Sequence, residues 1–372
     1  MITLQEIQTK KEMKQFVLFP FSLYKNNPYW VPPIIKDEID SFDKTKNPVF
    51  DNANAYFFVA KKDAKIVGRI IAIINTYETE KQGIKKMRFG WFDVIDDLEV
   101  TKVLINKVKE IGKAHNLEYI EGPVGFNNLD KTGVLTEGFN ELGTMITWYN
   151  HPYYKDHLEK LGFVKEKEYY ENKFLFDNIN IAKYAKASSI IKRRYKLKAL
   201  NFKSTKAIMP YVDEMFELFS KSYSKLSTYV PISDAQVQYF KKKYISFINP
   251  GYIKFVINEH NKLVAFAIVM PSFSKALQKA NGKLFPFGLF HLLNARKNSK
   301  DVTFYLIGVD PDYQNKGLTA IIFEEYHKFF KPKGIQNCIR TPELSDNEAI
   351  KKLWLDFSPV THKKRRTYRL NL

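Results

Sequence analysis

The sequence predicts a mixed α/β fold laid out as two tandem domains, each a mostly antiparallel mixed sheet flanked by helices. Three observations carry this expectation. At 372 residues the chain is long enough for two cores of ordinary size. The order hairpin, strand, helix, strand can be read twice, between residues 56 and 121 and again between 252 and 340. In the second passage the strand 304–309 breaks at Asp310-Pro311-Asp312. It restarts as a helix on which Leu318, Ile321, Ile322, Tyr326 and Phe329 recur at three- and four-residue spacing and share one face.

Composition sets the class. Hydrophobic residues make up 45% of the chain and aromatics 15%, enough to form packed cores and too many for a disordered polypeptide. The one cysteine, Cys338, lies in the apolar run 335–339, which reads as a buried strand, so it is assigned as a core thiol and no disulfide can form within the chain. No basic stretch followed by an apolar one opens the sequence, and no apolar run approaches the roughly 20 residues of a membrane helix. The expectation is a soluble, cytoplasmic protein without a metal site. Lys and Arg number 59 against 40 Asp and Glu, a net charge of +19, which favours a polyanionic partner such as CoA, nucleic acid or an anionic lipid surface without choosing among them.

The first copy, residues 1–177, opens with a short strand and a helix. Pro28-Tyr29-Trp30-Val31-Pro32-Pro33 follows, and its three prolines require an ordered loop outside any helix or central strand. Residues 56–60 and 66–74 read as a hairpin and 87–94 as a third strand. Residues 98–115 read as a helix with Val100, Leu104, Val108 and Ile111 on one face, and 117–121 as the next strand. The strand-to-helix junction here is Val94-Ile95-Asp96-Asp97-Leu98-Glu99, whose carboxylates favour a helix N-terminus and repel a phosphate. A polar excursion spans 122–130, and long loops in compact domains are often functional. Asn127 and Asp130, with Asn150 and Tyr154 ahead of the next helix, are therefore candidates for substrate contacts; turn chemistry accounts for Asn and Asp there equally well. Leu161-Gly162-Phe163 turns the chain into a last strand, 166–174. Residues 178–194 read as a polar linker, and the basic run Lys192-Arg193-Arg194-Tyr195-Lys196 as a solvated edge strand.

The second copy, residues 195–372, begins with a strand at 198–202, a helix carrying Val212, Met215, Phe216 and Phe219, and a helix capped by Ser233 that extends to Phe247. Residues 252–257 and 263–269 form a hairpin. Between it and the strand 304–309 lies a basic insertion, 271–300, with an almost continuous apolar run at 284–293. That run is assigned to cover the sheet, with a pocket lining or a membrane contact as the other readings. A strand at 336–340, a helix to Asp356 and a basic strand to Leu370 end the copy.

The chemistry concentrates at 309–319. A turn from strand to helix leaves the first helical amides without acceptors at the positive end of the helix dipole, which suits an anion. Gly317 permits close approach to the backbone and Lys316 adds a charge, so a pyrophosphate matches the site. The order Val309-x-Pro311-x-Tyr313, then Gln314-x-x-Gly317-x-Thr319, then an amphipathic helix, resembles the acyl-CoA pyrophosphate loop of the GNAT (Gcn5-related N-acetyltransferase) superfamily, whose pattern is Arg/Gln-x-x-Gly-x-Gly/Ala. Thr319 departs from it, a β-branched residue that crowds the phosphates. Element order resembles GNAT domains in both copies and the motif in the second alone. The chain also resembles a bacterial group of tandem proteins with Pro-Tyr-Trp-Val-Pro-Pro early and Gly-Pro-x-x-Phe mid-chain, here Gly122-Pro123 and Phe126.

The resemblance implies an N-acyltransferase. Its cosubstrate is acetyl-CoA or another acyl-CoA held by Val309, Gln314, Asn315, Lys316, Gly317, Leu318 and Thr319, with Asn347 meeting the cofactor arm. Its acceptor is an amine, a small molecule or a peptide. A backbone amide near Val309 polarises the thioester carbonyl, and Glu343 at a strand end is the candidate base. The tyrosine that the family often uses as general acid is replaced in this neighbourhood by Trp354, leaving that role unfilled. Two other readings stay open: a Fem-like aminoacyl transferase, also a tandem arrangement, using aminoacyl-tRNA, and a catalytically silent module that binds nucleic acid or lipid through its basic faces.

Overall fold

The computed structural model describes residues 1–127, 129–224, 229–245 and 248–372. In chain order the elements are β1 (Ile2–Glu6), α1 (Lys10–Leu23), α2 (Ile35–Ser41), β2 (Ala53–Lys62), β3 (Lys65–Asn75), β4 (Lys86–Val94), α3 (Leu98–Ala114), β5 (Tyr119–Gly122), β6 (Val134–Glu137), α4 (Tyr153–Lys160) and β7 (Val164–Leu175). They continue with α5 (Ile181–Arg194), β8 (Lys198–Leu200), α6 (Thr205–Ile208), α7 (Val212–Tyr223), α8 (Asp234–Phe240), β9 (Ile253–Ile257), β10 (Leu263–Pro271), α9 (Ser274–Ala280), α10 (Gly288–Asn298), β11 (Asp301–Val309), α11 (Thr319–Phe330), β12 (Asn337–Arg340), β13 (Glu343–Leu344), α12 (Glu348–Trp354) and β14 (Val360–Asn371).

These elements form two compact units that alternate along the chain. The first comprises 1–170, 274–291 and 362–372; the second comprises 171–273 and 292–361. In the first, the strand order is β1-β2-β3-β4-β5-β14, antiparallel except for the parallel pair β4/β5 bridged by α3. The closing strand comes from the chain's C-terminus, with Tyr368 opposite Gly122 and Leu370 opposite Ile120. In the second, β8, β9, β10, β11 and β12 follow one another, and again the single parallel pair, β11/β12, is bridged by a helix, α11.

Strand alternation explains why both faces of the first sheet are apolar. Phe58, Ala60, Ile70 and Ala72 meet Val100, Leu104 and Val108 of α3 in one cluster, while their neighbours Phe57, Val59, Ile71 and Ile73 join Phe16, Val17 and Phe42 in another. In the second unit Ile321, Ile322, Tyr326 and Phe330 of α11 are buried, and the Tyr326 hydroxyl donates to the carbonyls of Tyr252 and Ala267 at 2.9 Å each.

Three expectations change. Residues 181–194 are a helix, not a polar linker leading to an edge strand. Asn180 caps it, and its inner stripe Tyr184, Ser188, Ile191 has helical spacing that a central serine hides from a hydrophobicity pattern. The helix capped by Ser233 is regular to Phe240 and continues as a wider turn, Lys241–Ile245; Phe247 lies outside the described residues. The apolar run 284–293 does not cover the sheet, since Phe285, Phe287 and Phe290 are exposed.

Candidate active site

The second unit builds the candidate site at the end of β11. Antiparallel pairing with β10 shifts register between Ile268 and Val269, so that Leu306 and Phe304 take successive partners and Tyr305 is bulged out. On the other edge, parallel pairing with β12 stops at Phe304 opposite Arg340. Residues 306–309 therefore run on beyond the end of β12. Successive residues of a strand present their backbone groups to opposite edges. Asp310 N donates to Val264 O on the β10 side, which puts the amides and carbonyls of Ile307 and Val309 on the open edge. Helix α7 and the loop supply donors there: Tyr223 Oη donates to Ile307 O (3.1 Å), and Ser222 Oγ (3.1 Å) and Gln314 Nε2 (3.3 Å) donate to Val309 O.

The loop from β11 to α11 is shaped by its own side chains. Buried Asp310 caps the turn Pro311–Tyr313 by accepting from Asp312 N (2.9 Å), and both its oxygens lie 3.0 Å from Lys221 Nζ. Asn315 (φ 60°) and Gly317 (φ 76°) are left-handed, the conformation in which Asn and Gly are cheapest. Between Gln314 and Gly317 the chain is exposed, while Leu318 is buried and pins the loop to the core. The first turn of α11 is tight, with Ala320 N donating to Gly317 O and Ile321 N to Leu318 O. Among the described residues, none accepts from the amides of Gly317, Leu318 and Thr319. A Cβ on Gly317 would stand 2.8 Å from Ile191 Cδ1 of α5. One side of the glycine thus rests on α5. The basic end of α5 also reaches this loop: Lys316 Nζ stands over the rings of Tyr313 (5.1 Å) and Tyr195 (5.3 Å), and Arg193 and Arg194 are exposed.

The other sequence candidates fall out differently. Glu343 is gripped at both oxygens by Arg340, whose Nε donates at 3.0 Å while a second nitrogen meets the other oxygen. Arg340 is itself buried and stacked 4.7 Å over Trp354. An ion-paired carboxylate is a poor proton acceptor. Asn347 caps α12 by accepting from Ile350 N, which leaves its amino group as a donor. Trp354 is buried among Phe174, Phe304 and Phe323, and an indole N–H is too weak an acid to protonate a leaving group. Tyr223 is the residue that sequence reasoning missed: burial pushes its phenol up to about 12, and its oxygen touches the open edge of β11. Its only signal was its place one turn after Phe219, on whose ring it stacks.

In the first unit, the four substrate candidates are engaged within the fold. Asn150 bonds both ways with Leu135, accepting from its amide (2.6 Å) and donating to its carbonyl (3.1 Å). Tyr154 is wholly buried; its hydroxyl accepts from Val94 N and meets Tyr24 Oη at 2.9 Å. Asp130 accepts from the amides of Phe126 and Asn127, with burial pushing its carboxyl pKa up, and Asn127 accepts from Leu129 N. Arg88 and Asn75 hold the carbonyl of Phe126 from below. Asn127 and Asp130 thus share one tightly tied turn, whereas Asn150 and Tyr154 act as internal pegs.

No family model matches the chain. Protein YghO of Escherichia coli (strain K12) is 27% identical over 316 residues, 84% of this chain and 80% of that protein. A bacterial ceramide synthase of Caulobacter vibrioides is 26% identical over 168 residues, 45% of this chain; the match spans 44% of that protein, less than half its length. Among solved structures, a tandem GNAT protein from the clavulanic acid biosynthesis pathway superposes with a TM-score of 0.60 at 10% identity, covering 100% of this chain and 98% of that one. A GCN5-related N-acetyltransferase from Sphaerobacter thermophilus gives 0.53 at 7% identity, covering 100% and 95%. The fold is that of the tandem GNAT proteins.

Proposed function

We propose that this chain, which has the tandem GNAT fold, transfers an acyl group from acyl-CoA to an amine through its second unit. The observation that carries this reading is the exposed loop Gln314 to Gly317 leading into helical amides without acceptors, at the end of a strand whose outer edge is open. The residues fit the group: the amides of Gly317, Leu318 and Thr319 and the Lys316 ammonium would hold the pyrophosphate, with Asn347 donating to the arm. Acyl-CoA supplies an activated thioester for the amine to attack. The Ile307 and Val309 amides face the edge where its carbonyl oxygen would lie and would stabilise the developing charge. Tyr223, neutral at physiological pH, is our choice of proton donor to the departing thiolate, in place of the tyrosine that Trp354 displaces; the proton that the attacking nitrogen sheds as the amide forms passes to solvent, which later reprotonates the phenolate. Glu343, tied to Arg340, is better suited to hold the end of β12 than to accept a proton. In this reading the unit of 1–170, 274–291 and 362–372 is the copy without the loop, and the unit of 171–273 and 292–361, to which α5 belongs, is the copy with it. The setting is the cytoplasm, where acyl-CoA is available.

The ceramide synthase relative favours a particular acceptor class. A ceramide is the amide of a long-chain amino alcohol, so a long-chain lipid amine is the first acceptor to try. The test is calorimetry of acetyl-CoA and a long-chain acyl-CoA on the full chain, followed by a screen of lipid amines, small polyamines and peptides as acceptors. One CoA site per chain and amide formation with at least one amine are expected. Two equivalent sites, or no binding at millimolar ligand, overturn the reading; tight binding of aminoacyl-tRNA without CoA binding replaces it by the Fem-like one.

A further inference from the structure

The acyl-transfer reading leaves residues 272–300 unused. These 29 residues hold six basic side chains, Lys275, Lys279, Lys283, Arg296, Lys297 and Lys300, and no Asp or Glu. Helix α9 is firmly seated: Ala276, Leu277 and Ala280 are buried, and Ser274 Oγ donates to Gly143 O at 2.7 Å. Gln278 Nε2 donates to the carbonyls of Pro28 and Trp30, and Gly282 O accepts from Ile35 N at 2.9 Å. The chain then rises from the surface. Phe285 is 75% exposed, Phe287 69% and Phe290 68%, and Leu289 at the start of α10 is exposed as well.

At ~200 Å² per phenylalanine, the three rings alone present on the order of 400 Å² of apolar surface, as much as the largest patch of an ordinary monomer and a mark of an interaction site. We propose that residues 283–291 dock on an anionic lipid bilayer, with the phenylalanine rings entering the boundary between headgroups and acyl chains. Lys275 and Lys279, one turn apart on α9, and Lys283 next to the rings in sequence then lie over the lipid phosphates. These three lysines are exposed, and among the described residues none is paired with a carboxylate. Charge selects this occupant. A second copy seated on the patch would bring six more cations against the first six, while an anionic membrane offers apolar depth and negative charge together. Docking does not depend on acyl transfer; if the acceptor is a lipid amine, docking brings the enzyme to it.

The test is flotation of the full chain with vesicles of equal parts phosphatidylglycerol and phosphatidylcholine, and with phosphatidylcholine alone. Binding to the mixed vesicles is expected, weakened by salt and about tenfold or more weaker without phosphatidylglycerol. Phe285→Ser/Phe287→Ser/Phe290→Ser should lose about tenfold or more of that binding while keeping its circular dichroism and its transfer to a water-soluble amine. Phe285→Ser alone, at the most exposed ring, gives a smaller loss in the same direction if the triple variant misfolds. Lys275→Glu/Lys279→Glu/Lys283→Glu should remove the salt-sensitive part. A folded wild type that does not float, or phenylalanine variants that float as well as it does, overturns the proposal. So does wild-type dimerisation that the phenylalanine variants abolish without any vesicle binding, which would make a second copy the occupant.

Discussion

The junctions β4–α3 and β11–α11 occupy the same place in two copies of one topology, and they solve the helix N-terminus in opposite ways. After β4 the chain needs three residues, Ile95, Asp96 and Asp97, and the Asp97 carboxylate turns back to accept from Glu99 N at 3.1 Å. Asp97 also lies 3.3 Å from Lys62, and Asp96 lies 3.2 Å from His157. The protein's own anion fills that end of the helix dipole. After β11 the chain takes nine residues, 310–318, and Leu318 at the helix start offers no side-chain cap. Of the two carboxylates in this stretch, Asp310 is withdrawn onto Lys221 and exposed Asp312 lies 3.7 Å from the same ammonium, while 314–317 is exposed, carries Lys316 and contains a glycine. If the proposed pyrophosphate site is right, it is created by omitting the cap as much as by adding a cation.

Both units pair buried cations with carboxylates, as Arg340 with Glu343 in the second, and the second also buries a lysine that, among the described residues, has no carboxylate in direct contact. In the first, Arg88 meets Glu78 at 2.5 Å and Arg69 meets Asp93 at 2.7 Å, each a direct pair. In the second, buried Lys254 on β9 donates to the Asn201 amide oxygen at 2.7 Å and stands 5.0 Å over the Phe329 ring, and burial pushes its pKa down to about 8.

The largest expected effect tests which unit carries the chemistry. Tyr223→Phe should lower kcat about 100-fold with acyl-CoA affinity unchanged; an unaltered kcat excludes Tyr223 as the proton donor.

Lys254 comes next. Below pH 8 it is protonated in both folded and unfolded chains, and folding bears the cost of burying the charge. Between about 8 and 10.5 the unfolded chain retains a proton that the folded one has lost, so stability rises with pH across that window, by up to about 3 kcal/mol. Urea denaturation of wild type and Lys254→Met at pH 7.5 and pH 10 measures it: the wild type should gain on the variant as pH rises, and parallel behaviour would remove Lys254 from the account.

Gly317→Asp should cost about tenfold or more in CoA affinity, roughly 1–3 kcal/mol. The left-handed φ and Ile191 Cδ1 make this substitution strained as well as repulsive. It belongs in an Ile191→Ala background, with Gly317→Asn, which tolerates the left-handed backbone, as the neutral control. The matching change in the first unit, Asp97→Ala, should lower stability by about 1 kcal/mol and create no second CoA site in calorimetry. A second site appearing there would mean that the cap alone keeps the first junction closed.

The sequence by itself determined the two-copy order of strands and helices, because apolar residues recur with the period of the element that carries them. It also determined the candidate loop, because Gln314 to Thr319 is a local feature whose left-handed residues and helix start need no distant partner. What only the tertiary structure decided depends on contacts remote in sequence. The C-terminal strand closes the first unit, through pairs such as Tyr368 with Gly122 that no local pattern encodes. Asn150 and Tyr154 are pegs in that unit because Leu135, Val94 and Tyr24 lie across from them, and Glu343 is neutralised because its neighbour Arg340 is buried against Trp354. Tyr223 gains its place at the open edge of β11 only when α7 folds over that strand. Side-chain chemistry was legible in the chain; which group each side chain faces was settled by packing.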